Sequence, residues 1–210
     1  SYLILTERSH PEAMKIRSSY AYIIFKITDD KYFLVTGTGQ AVKDTEWINR
    51  HKGDDRATLT DVTSGYAVLG VAGPQSEEIL ARISGDDVSL TNFPRYRHRE
   101  IEAGYGIVRA ARLSYTGEAG FELYIPSEFA IGVYDALSDA GWDLGLMDIG
   151  TTALTSLRVF QECRKRHSNL AAFLFPPILR LQLIVDLFSR KSQFIQEHLG
   201  YNTRELRAAR

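Results

Sequence analysis

Residues 106–126, GIVRAARLSYTGEAGFELYIP, constrain the fold more than any other stretch. Two β-rich runs flank a turn that holds Gly117 and Gly120. Glycine adopts positive φ at no Cβ cost and lets another backbone or a ligand come close. Within FELYI, a period of two places Phe121, Leu123 and Ile125 on one face, which is expected to be core. Glu122 and Tyr124 share the other face.

The flanking text interleaves strands with helices. Residues 22–36, YIIFKITDDKYFLVT, read as a hairpin turning at Asp29-Asp30. VKDTEWINRHKG suits a helix capped by Asp44, with Trp47 and Ile48 inward and Gly53 at its end. Tyr66–Gly73 is an apolar strand. GPQSEEILARISG follows as a helix, with Pro74 at its start, Glu77 and Glu78 in the first turn, and Ile79, Leu80 and Ile83 as its apolar stripe. SEFAIGVYDALSDAGW predicts another helix, capped by Ser127 and buried along Ala130, Val133, Tyr134, Leu137 and Ala140. GLMDIGTTALTSLR reads as a short loop and a last helix. Strands, helices and hairpins in this order predict an α+β fold, a mostly antiparallel sheet with packed helices.

After Arg158 the pattern changes. VFQECRKRHSNL is polar and basic. The apolar run from Ala171 to Phe188 holds Pro176, Pro177, Arg180 and Asp186, which argues against a membrane span. A final amphipathic helix up to Gly200 is expected, with Asn202 and Glu205 as a capping box. The organisation read from the text is a segment 1–21, a domain 22–158 and a tail 159–210, disordered or helical.

Composition narrows the function classes. The chain has 210 residues, 44% hydrophobic and 24% charged, with a formal net charge of -1. Nothing global argues for nucleic acid. The one cysteine, Cys163, excludes a disulfide within the chain and fits a reducing compartment or the mitochondrial matrix. His10, His51, His98, His167 and His198 are scattered without metal spacing, so no metal site is expected. RYRHRE, Arg95 to Glu100, reads as a solvated basic loop. GTGQ at Gly37 lacks the lysine and length of a phosphate loop, and no dinucleotide glycine fingerprint occurs.

The chemistry concentrates on Glu122. An ionised glutamate offers two parallel acceptor oxygens. They match adjacent N–H donors on a planar heterocycle such as a pterin or guanine edge. Nearby tyrosines supply flat surfaces for such a ring. Spacing alone leaves a second reading open, a solvated glutamate on an exposed edge strand. Glu118 reads as turn surface. A glycosidase pair of Glu118 and Glu122 is set aside, because residues four apart here do not oppose each other across a cleft.

LGVAGPQSEEIL, RLSYTGEAGFELYIP, VYDALSDAG and ALTSLR, in this order, resemble the folate-binding aminomethyltransferase family over residues 27–158. That family includes the glycine-cleavage T-protein and the C-terminal folate domains of dimethylglycine and sarcosine dehydrogenases, and the wording here is nearer the dehydrogenase type. The resemblance implies a T-protein-like domain that binds tetrahydrofolate and moves a one-carbon unit to its N5/N10 region. It implies cofactor-binding roles for Glu122, against the pterin, and Tyr115, lining the same pocket. FAD would sit only on a separate amine-oxidising domain, a possible partner. No nucleic-acid or membrane partner is implied, and the location is cytoplasmic or the mitochondrial matrix. Free-standing aminomethyltransfer and a non-catalytic folate-fold module are the alternatives.

Both ends depart from the family pattern. Its catalytic aspartate would fall near Tyr20 or Ala21, where KIRSSYAYIIF holds no acid, so the catalytic residues are unknown. A ligand-binding arginine of its Leu-Arg helix aligns with Leu154, and Arg158 is expected to be structural. The family's continuation past that helix and its second domain are not found. A change of reading frame near Val159, and another before Tyr22, would account for both departures.

Overall fold

In a computed structural model, residues 2–6, 23–52, 55–150, 152–158 and 182–186 are described. The readings at Tyr20 and Ala21, Gly53, Cys163, His10, His167, His198, the prolines 176 and 177 and the helix up to Gly200 lie outside them. The chain divides into two compact units, Ser1–Tyr66 and Ala67–Arg210.

The first unit is built on a four-stranded antiparallel sheet in the order β2-β3-β1-β4. Its strands are β1 (Tyr2–Thr6), β2 (Ile23–Lys26), β3 (Lys31–Val35) and β4 (Ala57–Asp61). The expected hairpin is present: Phe25 pairs with Phe33, and Ile27 and Thr28 donate to the Lys31 carbonyl across the turn. Helix α1 (Ala41–His51) begins three residues before the expected cap. Asp44 therefore lies within the first turn, buried, where its negative charge suits the helix dipole. Ile48 packs against Leu34, and Trp47 stacks on His51 with ring centroids 4.0 Å apart.

The second unit carries a six-stranded sheet in the order β6-β7-β8-β5-β10-β9. These are β5 (Tyr66–Ala72), β6 (His98–Ala103), β7 (Gly106–Ala111), β8 (Gly120–Pro126), β9 (Leu146–Ile149) and β10 (Gln182–Asp186). Two helices, α2 (Ser76–Ile83) and α3 (Ala130–Gly141), pack on one face of this sheet, and residues 152–158 form α4. The expected α+β architecture, with a mostly antiparallel sheet and packed helices, is the one observed. β10 lies in the segment after Arg158, pairing antiparallel with β5 and parallel with β9.

Register sorts the side chains of β6, β7 and β8 into two faces. Ile101 pairs with Val108, and Ala110 with Leu123. With Phe121 and Ile125 these residues meet Ile79 and Leu80 of α2 and Val133 and Leu137 of α3 in one core. Each large side chain buried here contributes roughly 1.5–3 kcal/mol of transfer free energy. On the opposite face, His98, Ala111 and Glu122 form one cross-strand file, and Glu100, Arg109 and Tyr124 the next.

Three further sequence expectations differ from the structure. Pro74 and Gln75 form a turn ahead of α2, which begins at Ser76. His98–Glu100, expected in a solvated loop, open the edge strand β6. There Glu100 meets Arg109 at 2.5 Å, and Arg99 lies 4.8 Å from the Phe93 ring centroid. Charges on an edge strand discourage pairing with other chains, so their presence there fits its position. β9 occupies part of the expected loop after α3, entered through Gly145 at φ 75°.

Candidate functional site

The loop between β7 and β8 is fixed at both ends. At the β7 end Arg112 is buried, and its guanidinium donates to Glu77 Oε2 at 2.8 Å and to the Val88 carbonyl. The same group stands 4.6 Å from the Phe121 ring centroid. Between them, Gly117 turns the chain at φ 79°, donating to the Ser114 carbonyl. At the β8 end Gly73 donates to the Ala119 carbonyl at 2.8 Å. Gly120 has no room for a side chain: a Cβ there would lie 2.8 Å from the Val71 carbonyl oxygen. The glycine is what lets β8 approach β5 this closely.

This loop forms one wall of a cleft. Gly70, Val71 and Ala72 of β5 face Leu113, Ser114, Tyr115 and Thr116, with Phe121 and Glu122 of β8 below and Leu154 of α4 beside them. The cleft measures about 20 Å³, room for a single water. Tyr115 is half-exposed at its mouth, and the Arg158 guanidinium lies 4.5 Å from its ring centroid. Such an exposed cation–π contact contributes about 0.5–1 kcal/mol, weak enough for an entering ring to displace. The cleft as it stands is too small for a bicyclic ring.

Glu122 is the acidic residue among those lining this mostly apolar cleft. β8 lies between β7 and β5, so Glu122 is no solvated edge residue. The Tyr124 hydroxyl donates to Glu122 Oε2 at 2.7 Å. Among the described residues no ion pair reaches the carboxylate. Burial pushes its pKa above the usual carboxylate value, and the Tyr124 hydrogen bond pulls it partly back. Burial and the neighbouring Glu122 charge hold the Tyr124 phenol far above its ordinary range. Tyr124 therefore stays a donor throughout the physiological pH range.

The structure brings the two sequence-predicted residues, Glu122 and Tyr115, into one cleft. Glu118 does not line it. Leu154 does. Arg158 reaches the mouth through Tyr115. Sequence reasoning missed the Tyr124–Glu122 bond and the β5 wall. The shared face was readable, but not the contact along one strand.

Residues 20–187 match the family model described as GCVT N-terminal domain. The chain belongs to this family. Human mitochondrial dimethylglycine dehydrogenase is 35% identical to this GCVT domain over 131 residues, 61% of this chain and 15% of that protein. Aminomethyltransferase of Clostridium botulinum (strain Loch Maree / Type A3) is 36% identical over 136 residues, 65% of this chain and 36% of that enzyme. The chain thus spans well under half the length of these curated relatives. Among solved structures, heterotetrameric sarcosine oxidase from Corynebacterium sp. U-96, in complex with pyrrole 2-carboxylate, superposes with a TM-score of 0.57 at 16% identity. That likeness covers 70% of this chain and 82% of the other and concerns the fold. Among the described residues no helix is long and apolar enough to cross a membrane. Nor do three or more His, Cys, Asp or Glu side chains gather in a way that could hold a metal ion.

Proposed function

We propose that this GCVT domain binds tetrahydrofolate, with the Glu122 carboxylate holding the pterin edge and Tyr115 flanking the ring. The observation that carries the reading is a partly buried carboxylate in a mostly apolar cleft, partnered by a tyrosine hydroxyl and, among the described residues, by no ion pair. Such a group is costly to keep ionised unless donors arrive to satisfy it. Each carboxylate oxygen accepts more than one hydrogen bond. Oε2 thus keeps acceptor capacity beside Tyr124, and Oε1 is available to a second N–H. Two adjacent donors on a flat heterocycle satisfy both, and a charge-assisted pair of this kind is strong and orienting.

The cleft fits the ring by chemistry, and by size only after opening. Val71, Leu113, Phe121 and Leu154 provide apolar walls, and Tyr115 an aromatic one. When bound, tetrahydrofolate supplies the nitrogens that take up a one-carbon unit. The chain's own residues bind the ring, orient it and keep water from the carboxylate.

The wider setting we propose is a folate domain of a dimethylglycine or sarcosine dehydrogenase-like protein, beside a flavin-dependent amine-oxidising domain. The dimethylglycine dehydrogenase relative and the fold shared with sarcosine oxidase support it. The similarity to aminomethyltransferase supports the alternative, a free-standing transferase.

Thermal unfolding of the chain with and without tetrahydrofolate tests the reading. A ligand bound only by the native state at a hundred times its Kd adds about 2.7 kcal/mol. The midpoint is expected to rise for the parent and not for Glu122→Gln. A cooperative transition that tetrahydrofolate leaves unmoved contradicts the proposal.

A further inference from the structure

Tyr124 is 1% exposed, yet it lies on the sheet face away from the core packed by α2 and α3. A buried phenol needs a partner for its hydroxyl, and this one donates to Glu122 Oε2 at 2.7 Å. Two side chains on one strand face and two residues apart seldom touch, because the pleat sets them nearly 7 Å apart. Here the contact forms, with Ala111 opposite Glu122 and Arg109 opposite Tyr124 on the neighbouring strand.

We infer that Tyr124 is the positioning residue of the cleft: its hydroxyl fixes Oε2 of Glu122 and leaves Oε1 to an incoming N–H donor. The pterin as that donor rests on the folate reading above. Phenylalanine at this position would fill the same space and pack as well, so packing does not account for the hydroxyl. The ordering of the carboxylate before a ligand arrives lowers the cost of binding.

Among the described residues, the other charged and titratable groups beside Glu122 engage one another. On the same sheet face Arg109 is engaged by Glu100 and His98, and His98 shares the file of Ala111 and Glu122. From the loop and α4, Tyr115 and Arg158 engage each other. β5 contributes Gly70, Val71 and Ala72 to the cleft, none of them titratable. A probe of the Glu122 carboxyl itself therefore separates Tyr124 from these groups.

The experiment is a carboxyl-carbon NMR titration of Glu122 in the full chain, paired with tetrahydrofolate titrations at several pH values. Parent, Tyr124→Phe and Glu122→Gln are compared. In Tyr124→Phe the Glu122 midpoint is expected to rise, because a hydrogen bond to the charged form is gone. Affinity is expected to fall about tenfold at neutral pH, with the loss growing as pH falls. Should Tyr124→Phe fold poorly, 3-fluorotyrosine at position 124, a stronger donor, is expected to lower the midpoint instead. An unchanged Glu122 midpoint in both Tyr124 variants overturns the inference, as does parent-like affinity in Tyr124→Phe when the parent binds. If the parent takes up no tetrahydrofolate, the folate reading falls, and the Glu122 midpoint alone decides the role of Tyr124.

Discussion

Arg112→Met removes the guanidinium that fixes the cleft loop while keeping an apolar stem of similar reach. Three interactions are lost. The bond to the Val88 carbonyl is charge-assisted, and Val88 is 2% exposed, so water does not readily replace it. That loss is worth about 1.5–3 kcal/mol. The pair with Glu77 lies at a half-exposed carboxylate, where the loss is under about 1 kcal/mol. The stacking on Phe121 and Phe93 contributes about 0.5–1 kcal/mol. Nε of Arg112 is buried without a hydrogen bond among the described residues, and its removal returns part of this. A net destabilisation of about 3 kcal/mol is expected, read from urea unfolding as a fall in midpoint at unchanged slope. Glu77→Gln is the control and is expected to cost under about 1 kcal/mol. If Arg112→Met costs no more than Glu77→Gln, the Val88 contact does not fix the loop and the reasoning fails.

Gly120→Ala places a methyl 2.8 Å from the Val71 carbonyl oxygen and 3.0 Å from Ser114 Cβ, both at cleft residues. Overpacking of this kind is expected to cost about 1–3 kcal/mol and to weaken tetrahydrofolate binding together with stability; unfolding and binding curves matching the parent contradict it. Glu122→Gln is expected to stabilise the ligand-free chain at neutral pH. Burial raises the folded pKa of Glu122 above its unfolded value, so the protonated form favours the folded state. The stability this lends is present below the unfolded pKa and lost as pH rises through the folded one. The gain from Gln should therefore shrink as pH falls through the carboxylate range, and an equal gain at pH 7 and pH 4 refutes it.

The elements that sequence predicted well carry strong local signals. The hairpin at Asp29-Asp30 has both turn chemistry and β-rich flanks. The period of two in FELYI separates Phe121, Leu123 and Ile125 from Glu122 and Tyr124, as the structure does. α3 follows its apolar stripe, with Val133 and Leu137 fully buried. Asp44 misled because an acid early in a helix serves equally as a cap or as a first-turn charge, and the neighbouring Thr38–Gln40 turn moved the start back to Ala41. β6 was hidden by its charges, which local propensity assigns to loops and which an edge strand tolerates. β9 has four residues beside glycines, too short for a period to show. In the cleft, Glu122 and Tyr115 were legible through a motif. The Arg158–Tyr115 contact spans loop and helix and depends on tertiary placement. The Tyr124–Glu122 bond depends on side-chain conformation along one strand, which a period of two does not show.

Calorimetric titration of tetrahydrofolate into the parent and into Glu122→Gln tests the central claim most directly. The parent is expected to bind at one site. Gln replaces one acceptor oxygen by a donor and removes the charge, so affinity is expected to fall at least about a hundredfold. Equal affinity in the two proteins would show that the pterin is held elsewhere and that this cleft is not the folate site.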